Sequence, residues 1–307
     1  MKDIQGKAAF ITGGASGIGL GIATAVASAG MKVMLADLRE DSLAEAARTL
    51  SAKGANVETV VVDVSDRSAM AAAAQATVDR FGPVELVVAN AAVGMIGRVR
   101  DASFDDWDWS NSVNIGGVVN AIQSFLPILR QQGHGHFAAT SSMAGINPLA
   151  HGGLYSVQKA AVMAMMEALC AELADEAVEV SVICPGMTRT NARETMKLRP
   201  ERYADHGIRV SIPSAPPPDA PPMPNPMDFA MDPLELGQRV LRGLLAGDLY
   251  ILTHAEFEDE IRDGFETILA AMPSDRFPAP PPGASSPPGM NFGVYANALA
   301  RRKAAAS

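Results

Sequence analysis

Three side chains near the middle of the chain could together move a proton to or from an oxygen atom. Tyr155 and Lys159 are four residues apart, a spacing that places both on one face of a helix. An unperturbed tyrosine, with a pKa of about 10, is a poor base near neutrality, but a fixed ammonium nearby favours the phenolate. Ser142, 13 residues before Tyr155, would bring a hydroxyl to a substrate oxygen, with Ser141 as the competing candidate. The three together favour acid–base catalysis by the tyrosine over a tyrosine packed under a surface lysine.

A glycine-rich turn follows the first predicted strand and reads Thr12-Gly-Gly-Ala-Ser-Gly-Ile-Gly19. Its glycines let the backbone turn tightly and let a pyrophosphate approach the start of the next helix. The predicted nucleotide contacts in this turn are Gly13, Ser16, Gly17, Ile18 and Gly19.

An acidic side chain ends the second predicted strand. Asp37 lies 18 residues after Gly19, where a carboxylate accepts hydrogen bonds from the adenosine ribose hydroxyls and repels a 2′-phosphate. Position and motif agree, so this role is favoured over that of an ordinary capping aspartate, and the sequence predicts NAD in preference to NADP. Arg39 keeps the alternative open, because its guanidinium could accommodate a phosphate if it turned inward.

Two further strand ends are predicted to border the nucleotide. Asp63 and Val64 follow the third strand, where the adenine ring would lie, although a strand-end aspartate is as often a turn residue. Asn90 and Ala91 follow the fourth strand, where small residues leave room for a cofactor.

Apolar runs alternate with helical periodicity through the first 190 residues. The predicted strands are 7–12, 31–36, 57–62, 85–89, 136–140, 178–183 and 249–252, and the predicted helices are 17–29, 40–53, 67–81, 116–130, 155–174, 233–246 and 256–271. Strands made of continuous valine, isoleucine and alanine runs are typical of a parallel sheet buried on both faces. The alternation predicts an α/β fold with a doubly wound, mostly parallel, Rossmann-like sheet.

Two proline-rich stretches break this pattern. Residues 213–226 hold eight of the 21 prolines and residues 273–289 hold seven more, so neither forms a helix or a central strand. A surface loop is favoured for the second stretch, whereas a loop and a substrate lid are equally favoured for the first. The sequence predicts a single domain over residues 1–272, with a substrate loop over 187–232 and a proline-rich C-terminal tail over 273–307.

The composition excludes several classes of protein. The 307 residues are 48% hydrophobic and 19% charged, the balance of a soluble globular chain rather than a disordered one. A net charge of −9 argues against a nucleic-acid or anionic-membrane partner. The sequence has no uninterrupted run of about 18 apolar residues, so no membrane span is predicted. Two cysteines fit a reducing compartment, so a cytoplasmic location is expected.

Two polar clusters are given ordinary interpretations. His134 and His136 could be two metal ligands, but no third ligand with suitable spacing follows, so no metal site is predicted. Asp105, Asp106 and Asp108 surround two tryptophans, and a solvated helix start explains them at least as well as a binding role.

Together, these residues resemble the short-chain dehydrogenase/reductase family. The resemblance covers approximately residues 5–190 and includes the glycine-rich turn, Asn90-Ala-Ala92, Asn114, Ser142, Tyr155-Ser-Val-Gln-Lys159 and Pro185-Gly186. It implies that Tyr155 is the catalytic acid/base and that Lys159 lowers its pKa and holds the nicotinamide ribose. It also implies that Ser142 polarises the carbonyl or alcohol and that Asn114 positions a water that relays protons.

The resemblance also implies that the stretch 183–190 contacts the nicotinamide carboxamide. The cofactor contacts implied there are Pro185, Gly186, Thr188 and Thr190. One departure is Ala89-Asn-Ala-Ala92, where the family usually has Asn-Asn-Ala-Gly. Alanine is the smallest substitute for that glycine, so we expect a tighter cofactor fit rather than lost binding.

The predicted function is NAD-dependent interconversion of a secondary alcohol and a ketone. Beyond residue 190 the chain resembles bacterial Cα-dehydrogenases that oxidise benzylic alcohols of lignin-type aryl ethers, which suggests an aryl or benzylic substrate. The alternatives are a dehydratase or epimerase on the same fold and a non-catalytic nucleotide-binding regulator. Helices 116–130 and 155–174 form a dimer interface in relatives, so a homodimer or homotetramer is expected.

Overall fold

Seven strands form one parallel sheet in the part of the chain that the computed structural model describes, residues 3–208, 229–274, 281–283 and 293–306. The strands are β1 (Ala8–Thr12), β2 (Lys32–Asp37), β3 (Val57–Val61), β4 (Val84–Ala89), β5 (Gly135–Thr140), β6 (Val178–Cys184) and β7 (Tyr250–Leu252). Their order is β3-β2-β1-β4-β5-β6-β7, so the winding reverses between β1 and β4. Ligands of such sheets bind beyond the carboxyl ends of the strands at this reversal.

Helices cover both faces of the sheet. They are α1 (Gly17–Ser28), α2 (Glu40–Ser51), α3 (Arg67–Phe81), α4 (Phe104–Asn114), α5 (Gly116–Gln132), α6 (Met143–Ile146), α7 (Gly153–Glu172), α8 (Pro233–Ala246), α9 (Glu258–Ala270) and α10 (Val294–Ala306). The predicted doubly wound α/β fold is confirmed, and the predicted elements agree with the observed ones to within about two residues at each end.

Alternation along the strands supplies two apolar layers. Phe10 of β1 packs with α3, α5 and α7, and its ring centroid lies 4.4 Å from that of Phe125. The next residue, Ile11, points to the opposite face and packs with α1, α2 and α8. Successive side chains of a strand point to opposite faces, so one apolar run fills both layers.

Strand β3 departs from the expectation that every strand is buried on both faces. It is the edge strand of the sheet, and Val61 at its end is 53% exposed. An edge strand has a neighbour on one side only, so its apolar composition does not imply full burial.

Helices α4 and α5 follow each other closely. The 29 residues from Phe104 to Gln132 are long and apolar enough, by length and composition alone, to cross a membrane. However, Phe125 is fully buried against the sheet, and the polar side chains of Asp106 and Asn114 are buried as well. Packing within the domain therefore accounts for the apolar composition of this stretch.

The proline-rich segment 213–226 lies outside the described residues, as does most of 273–289. The predicted substrate loop is described over residues 187–208 and 229–232. Near the end of the chain, α10 packs on α7: the Tyr295 hydroxyl donates to Glu167 at 3.3 Å. The Tyr250 hydroxyl of β7 donates to the same carboxylate at 2.7 Å. The last helix is thus attached beside the β7 edge of the sheet.

Candidate active site

The glycine-rich turn joins β1 to α1 and leaves the start of that helix open. Gly17 has a φ of +53°, a left-handed conformation that favours glycine. A Cβ atom on Gly19 would lie 2.1 Å from the Gly13 carbonyl oxygen, so only glycine fits there. Ile18 packs against the apolar layer beneath α1. Because N–H groups at a helix start attract anions, the turn fits the pyrophosphate of a dinucleotide.

The Asp37 carboxylate lies beside this turn, buried at the end of β2. It accepts hydrogen bonds from the backbone N–H groups of Ala15, at 3.4 Å, and Arg39, at 3.1 Å. The Arg39 side chain turns inward: its Nε donates to Asp37 at 3.3 Å and its Nη2 donates to the Ser16 hydroxyl at 2.8 Å. The guanidinium therefore has the orientation that could accept a phosphate, but it is held there by the carboxylate that would repel one.

Asp63 and Val64 follow β3 and make contacts within the chain. Oδ1 of Asp63 accepts hydrogen bonds from the backbone N–H and the hydroxyl of Ser65, at 2.9 and 2.7 Å, as in a turn. The Val64 backbone oxygen accepts a hydrogen bond from Nδ2 of Asn120 at 2.8 Å. The contact of Asp63 and Val64 with an adenine ring stays a prediction.

Asn90 joins the carboxyl ends of three strands. The backbone N–H groups of Asn90 and Ala91 both donate to the Thr12 hydroxyl at 2.9 Å. Nδ2 of Asn90 donates to the Thr12 backbone oxygen at 3.0 Å, and its Oδ1 accepts from the Thr140 hydroxyl at 3.1 Å. Asn90 therefore fixes β1, β4 and β5 to one another directly beside the glycine-rich turn.

Tyr155 and Lys159 lie one turn apart on α7, next to the end of β5. The Lys159 Nζ atom is 5.5 Å from the centroid of the Tyr155 ring and donates a 2.8 Å hydrogen bond to the Thr140 backbone oxygen. The hydroxyl of Ser142, two residues after β5, lies near enough to the Tyr155 phenol to lower its pKa. The structure thus brings together the three side chains that the sequence spacing selected.

The protonation of Tyr155 differs from the expectation that Lys159 lowers its pKa. Burial raises the pKa of Tyr155 to about 12, and the hydrogen bond with Ser142 offsets only part of this rise. Burial also lowers the pKa of the Lys159 ammonium, to about 8. Loss of water disfavours the charged form of each group and is the largest effect on both pKa values. At neutral pH the protein alone therefore favours a neutral phenol.

The two adjacent serines have different partners. Ser141 is buried, and its hydroxyl donates a 2.6 Å hydrogen bond to the backbone oxygen of Lys159. Ser142 caps α6 by accepting from the Ala144 N–H at 3.1 Å. The hydroxyl that reaches Tyr155 is that of Ser142, whereas Ser141 fixes the backbone of α7.

Asn114, at the end of α4, holds the backbone of Val93. Its Oδ1 accepts from the Val93 N–H at 2.8 Å, and its Nδ2 donates to the Val93 carbonyl oxygen at 3.1 Å. The same Nδ2 donates to Oε1 of Gln158 at 2.7 Å, and Gln158 in turn donates to the Ser110 hydroxyl at 2.6 Å. The Asn114 side chain is thus fully engaged within the protein, and its predicted role with a water stays a prediction.

Gln158 is a site residue that sequence reasoning missed. It is fully buried directly before Lys159, where it links α7 to α4. The signal available in the sequence was a polar residue at a core-facing position of a helix, which must find hydrogen-bond partners when buried.

The segment after β6 connects Ser142 with the glycine-rich turn. The Pro185 carbonyl oxygen accepts hydrogen bonds from the Met143 N–H at 2.9 Å and the Ser142 hydroxyl at 3.4 Å. At the other end, a Cβ atom on Gly17 would lie 3.1 Å from the Thr190 methyl group. Between them, the Thr188 hydroxyl donates to the Gly186 oxygen at 3.2 Å. Residues 185–190 therefore span the cleft from Ser142 to Gly17.

Asp106 corrects the interpretation of the acidic cluster as a solvated helix start. Its carboxylate is fully buried and accepts hydrogen bonds from Nη1 of Arg199, at 2.5 Å, and from the Ile208 N–H, at 2.7 Å. Burial opposes ionisation, but the Arg199 guanidinium and the backbone N–H donors hold the pKa of Asp106 below its usual value. Two residues of the predicted substrate loop are thus attached to α4, a contact between residues too distant in sequence for a local pattern to reveal.

Comparisons with known proteins agree with this geometry. A family model described as short chain dehydrogenase matches residues 7–201. The C alpha-dehydrogenase of Sphingobium sp. strain SYK-6 is 33% identical over 283 residues, which cover 90% of each chain.

Two solved structures extend the similarity to three dimensions. A short-chain dehydrogenase/reductase from Burkholderia phymatum, in complex with NAD, is 31% identical with a TM-score of 0.78, over 91% of this chain and 100% of that one. The apo form of LigD from Sphingobium sp. strain SYK-6 is 28% identical with a TM-score of 0.73, over 89% of this chain and 100% of that one. The matched region spans the glycine-rich turn and the Tyr155–Lys159 pair, so the chain belongs to the short-chain dehydrogenase/reductase family of oxidoreductases.

Proposed function

We propose that this protein is an NAD-dependent oxidoreductase that interconverts a secondary alcohol and a ketone. The proposal rests on the Tyr155 phenol, whose pKa the nearby Ser142 hydroxyl lowers and whose ring centroid lies 5.5 Å from the Lys159 Nζ atom. Carbonyl reduction requires a hydrogen-bond donor, a group that donates a proton and a fixed cation from the protein.

The rest of the cleft fits a dinucleotide. The cradle at Gly17 and Gly19 would hold the pyrophosphate, and the buried carboxylate of Asp37 would accept hydrogen bonds from the adenosine ribose hydroxyls. Residues 185–190 would lie along the nicotinamide half, because they connect Ser142 with the glycine-rich turn. NAD, when bound, supplies the carbon atom that accepts or returns the hydride.

Tyr155 exchanges a proton with the substrate oxygen. In ketone reduction the neutral phenol, which burial favours, donates its proton to the oxygen as negative charge develops there. In alcohol oxidation the phenolate accepts that proton, and the nearby positive charges of Lys159 and of an oxidised nicotinamide favour the phenolate. The Ser142 hydroxyl donates a hydrogen bond to the same substrate oxygen and stabilises its charge.

NAD is the proposed cofactor in preference to NADP. Asp37 is buried, and its carboxylate would face a 2′-phosphate with a like charge. The Arg39 guanidinium, which could compensate, donates to that same carboxylate and to Ser16. A 2′-phosphate would therefore have to break an existing ion pair to gain a new one.

An aryl or benzylic alcohol is the proposed substrate. Leu154, directly before Tyr155, belongs to a buried apolar cluster with Val93, Met95, Trp109 and Ile208. The cluster would border a substrate placed at Tyr155, and apolar surroundings favour an uncharged aromatic group over a charged substrate. The Sphingobium relative described above is a Cα-dehydrogenase, which is consistent with this class.

Assembly and location complete the proposal. We propose a homodimer or homotetramer that associates through α5 and α7, which expose Val119 and Val157 respectively. The partners are a small-molecule alcohol or ketone and not a nucleic acid or a membrane, and the proposed location is the cytoplasm.

The Tyr155→Phe variant tests the reaction. It should lower turnover of secondary aryl alcohols by about 10²–10⁴-fold, the usual contribution of one acid–base group, and should leave the NADH dissociation constant within about twofold. NADH absorbance measures turnover, and NADH fluorescence measures binding. Retained turnover would refute the role of the phenol, and a wild type that binds NADH but oxidises no alcohol would favour a dehydratase, an epimerase or a regulator.

A further inference from the structure

A buried histidine lies behind the segment that spans the cleft. His254 follows β7 and is 6% exposed. Its Nδ1 accepts a hydrogen bond from the Gly186 N–H at 3.0 Å, and its Nε2 lies 3.1 Å from the Met187 carbonyl oxygen. One imidazole ring therefore contacts two consecutive residues of the segment 185–190.

These contacts define which ring nitrogen carries a hydrogen. A backbone N–H can only donate, so Nδ1 must be the unprotonated nitrogen. A carbonyl oxygen can only accept, so Nε2 carries the hydrogen and donates it to Met187. The Thr253 hydroxyl also lies 2.7 Å from Nδ1 and donates to it. Nδ1 thus accepts from Gly186 and Thr253, and Nε2 donates to Met187.

The segment fits closely around the ring. A Cβ atom on Gly186 would lie 2.7 Å from the His254 ring and 2.7 Å from the Phe257 ring, so glycine is needed for this approach. The Met187 carbonyl oxygen also accepts from the Met231 N–H at 2.9 Å. The backbone at 186–187 is therefore held from the β7 side and by Met231, just before α8. Further along the segment, Pro185 contacts Ser142 and Thr190 lies against Gly17.

We propose that His254 is a positioning residue that fixes the backbone of Gly186 and Met187 so that the nicotinamide ring lies against Tyr155 and Ser142. This inference rests on the proposed function, because residues 185–190 line the nicotinamide half of the cleft only if NAD binds there. The adenosine half is held by Asp37 and the glycine-rich turn, which His254 does not touch. Loss of His254 therefore weakens the binding of the nicotinamide half of NAD and leaves the binding of the adenosine half unchanged.

Amide hydrogen exchange tests the contact in the protein alone. In the wild type the Gly186 amide should exchange slowly, and His254→Ala should accelerate its exchange at least about tenfold. His254→Asn should restore protection, because an Asn oxygen can take the place of Nδ1 as acceptor. His254→Gln should not restore it, because its amide reaches the position of Nε2 instead. Equal exchange of Gly186 in the wild type and in both the Ala and Gln variants would overturn the proposal.

Binding of two probes tests the consequence. NADH contains the nicotinamide, whereas ADP-ribose contains only the adenosine half and the second ribose. His254→Ala should weaken NADH binding about tenfold and change ADP-ribose binding less than twofold. The control is His136→Ala, which removes a fully buried histidine at the start of β5, far from the carboxyl ends of the strands. It should leave the ratio of the two dissociation constants unchanged.

The outcomes separate this proposal from the proposed function. An unchanged binding ratio in His254→Ala, with normal wild-type alcohol oxidation, would overturn the role of His254 alone. A changed ratio in a protein that oxidises no alcohol would support the role of His254 and contradict the alcohol–ketone reaction. A wild type that binds neither probe would overturn both. If His254→Ala does not fold, His254→Gln serves in both measurements.

Discussion

In the proposed nucleotide half of the cleft, Asp37 and Arg39 bind residues close in sequence, whereas the anchor of the proposed substrate half joins residues far apart. Asp37 contacts Ala15 across 22 residues, and Arg39 contacts Ser16 across 23. On the substrate side, Asp106 contacts Arg199 across 93 residues. The first group joins residues at the carboxyl ends of β1 and β2, and the second joins α4 to the segment after β6.

The difference has a physical consequence for the substrate half. The backbone of residues 192–208 is mostly short helical turns and extended chain, so its position depends on a few side-chain anchors. Segments with few buried contacts open locally at a low free-energy cost. The glycine-rich turn, in contrast, lies between β1 and α1 and is held by several hydrogen bonds from Asn90 and Ala91 to Thr12. Removal of one anchor should therefore disturb substrate binding more than nucleotide binding.

The largest effect is expected from Arg199→Met. The substitution leaves the Asp106 carboxylate buried without its cation, a situation that costs about 3–5 kcal/mol in other proteins. Undocking of residues 199–208 would relieve part of that cost. We expect a higher KM for the alcohol, faster proteolysis within 192–208 and an unchanged NADH dissociation constant.

The matched control is Arg39→Met in the nucleotide half. That ion pair is partly exposed, so its loss should change the free energy of unfolding by less than about 1 kcal/mol. A double Asp106→Leu, Arg199→Met variant should recover stability relative to Arg199→Met alone, because it removes both buried charges. If Arg199→Met weakened NADH binding as much as alcohol binding, the two halves would not be independent.

Lys159 lies where the two halves meet, and its burial makes stability depend on pH. Its folded pKa of about 8 is below the reference value of 10.5, so wild-type stability falls as pH decreases from 10 to 7 and the buried amine takes up a proton. The loss in the free energy of unfolding that Lys159 causes between pH 10 and pH 7 is about 2–3 kcal/mol. Lys159→Met should lack it, because methionine does not titrate.

Denaturant unfolding of both proteins at pH 7 and pH 10 measures the difference. The stability of the wild type relative to Lys159→Met should be higher at pH 10 than at pH 7. If the stability difference between wild type and Lys159→Met were the same at both pH values, the Lys159 ammonium would not be desolvated.

The smallest effect is expected for cofactor choice. Asp37→Ser removes the charge that would repel a 2′-phosphate and frees the Arg39 guanidinium to bind one. The ratio of kcat/KM for NADP to that for NAD should rise about tenfold. The alcohol KM should not change, since Asp37 lies in the nucleotide half. Wild-type preference for NADP would contradict the role of Asp37.

The features that the sequence predicted are those made by residues close in sequence. The glycine-rich turn, Asp37 and the Tyr155–Lys159 spacing are local patterns, and each lies on the element that its pattern predicted. The partners of Asp106 and His254 lie 93 and 68 residues away, so no local pattern could indicate them. The direction of the Tyr155 pKa was also missed, because it depends on burial, which the spacing of two residues does not reveal.

The most direct test of the account is the ionisation of the Tyr155 phenol. Ultraviolet difference titration of wild type against Tyr155→Phe would follow the phenolate with and without NAD. We expect a pKa of about 12 in the protein alone and a lower one once the oxidised nicotinamide adds its positive charge beside Lys159. A phenol whose ionisation NAD does not shift would contradict the assignment of Tyr155 as the group that exchanges the substrate proton.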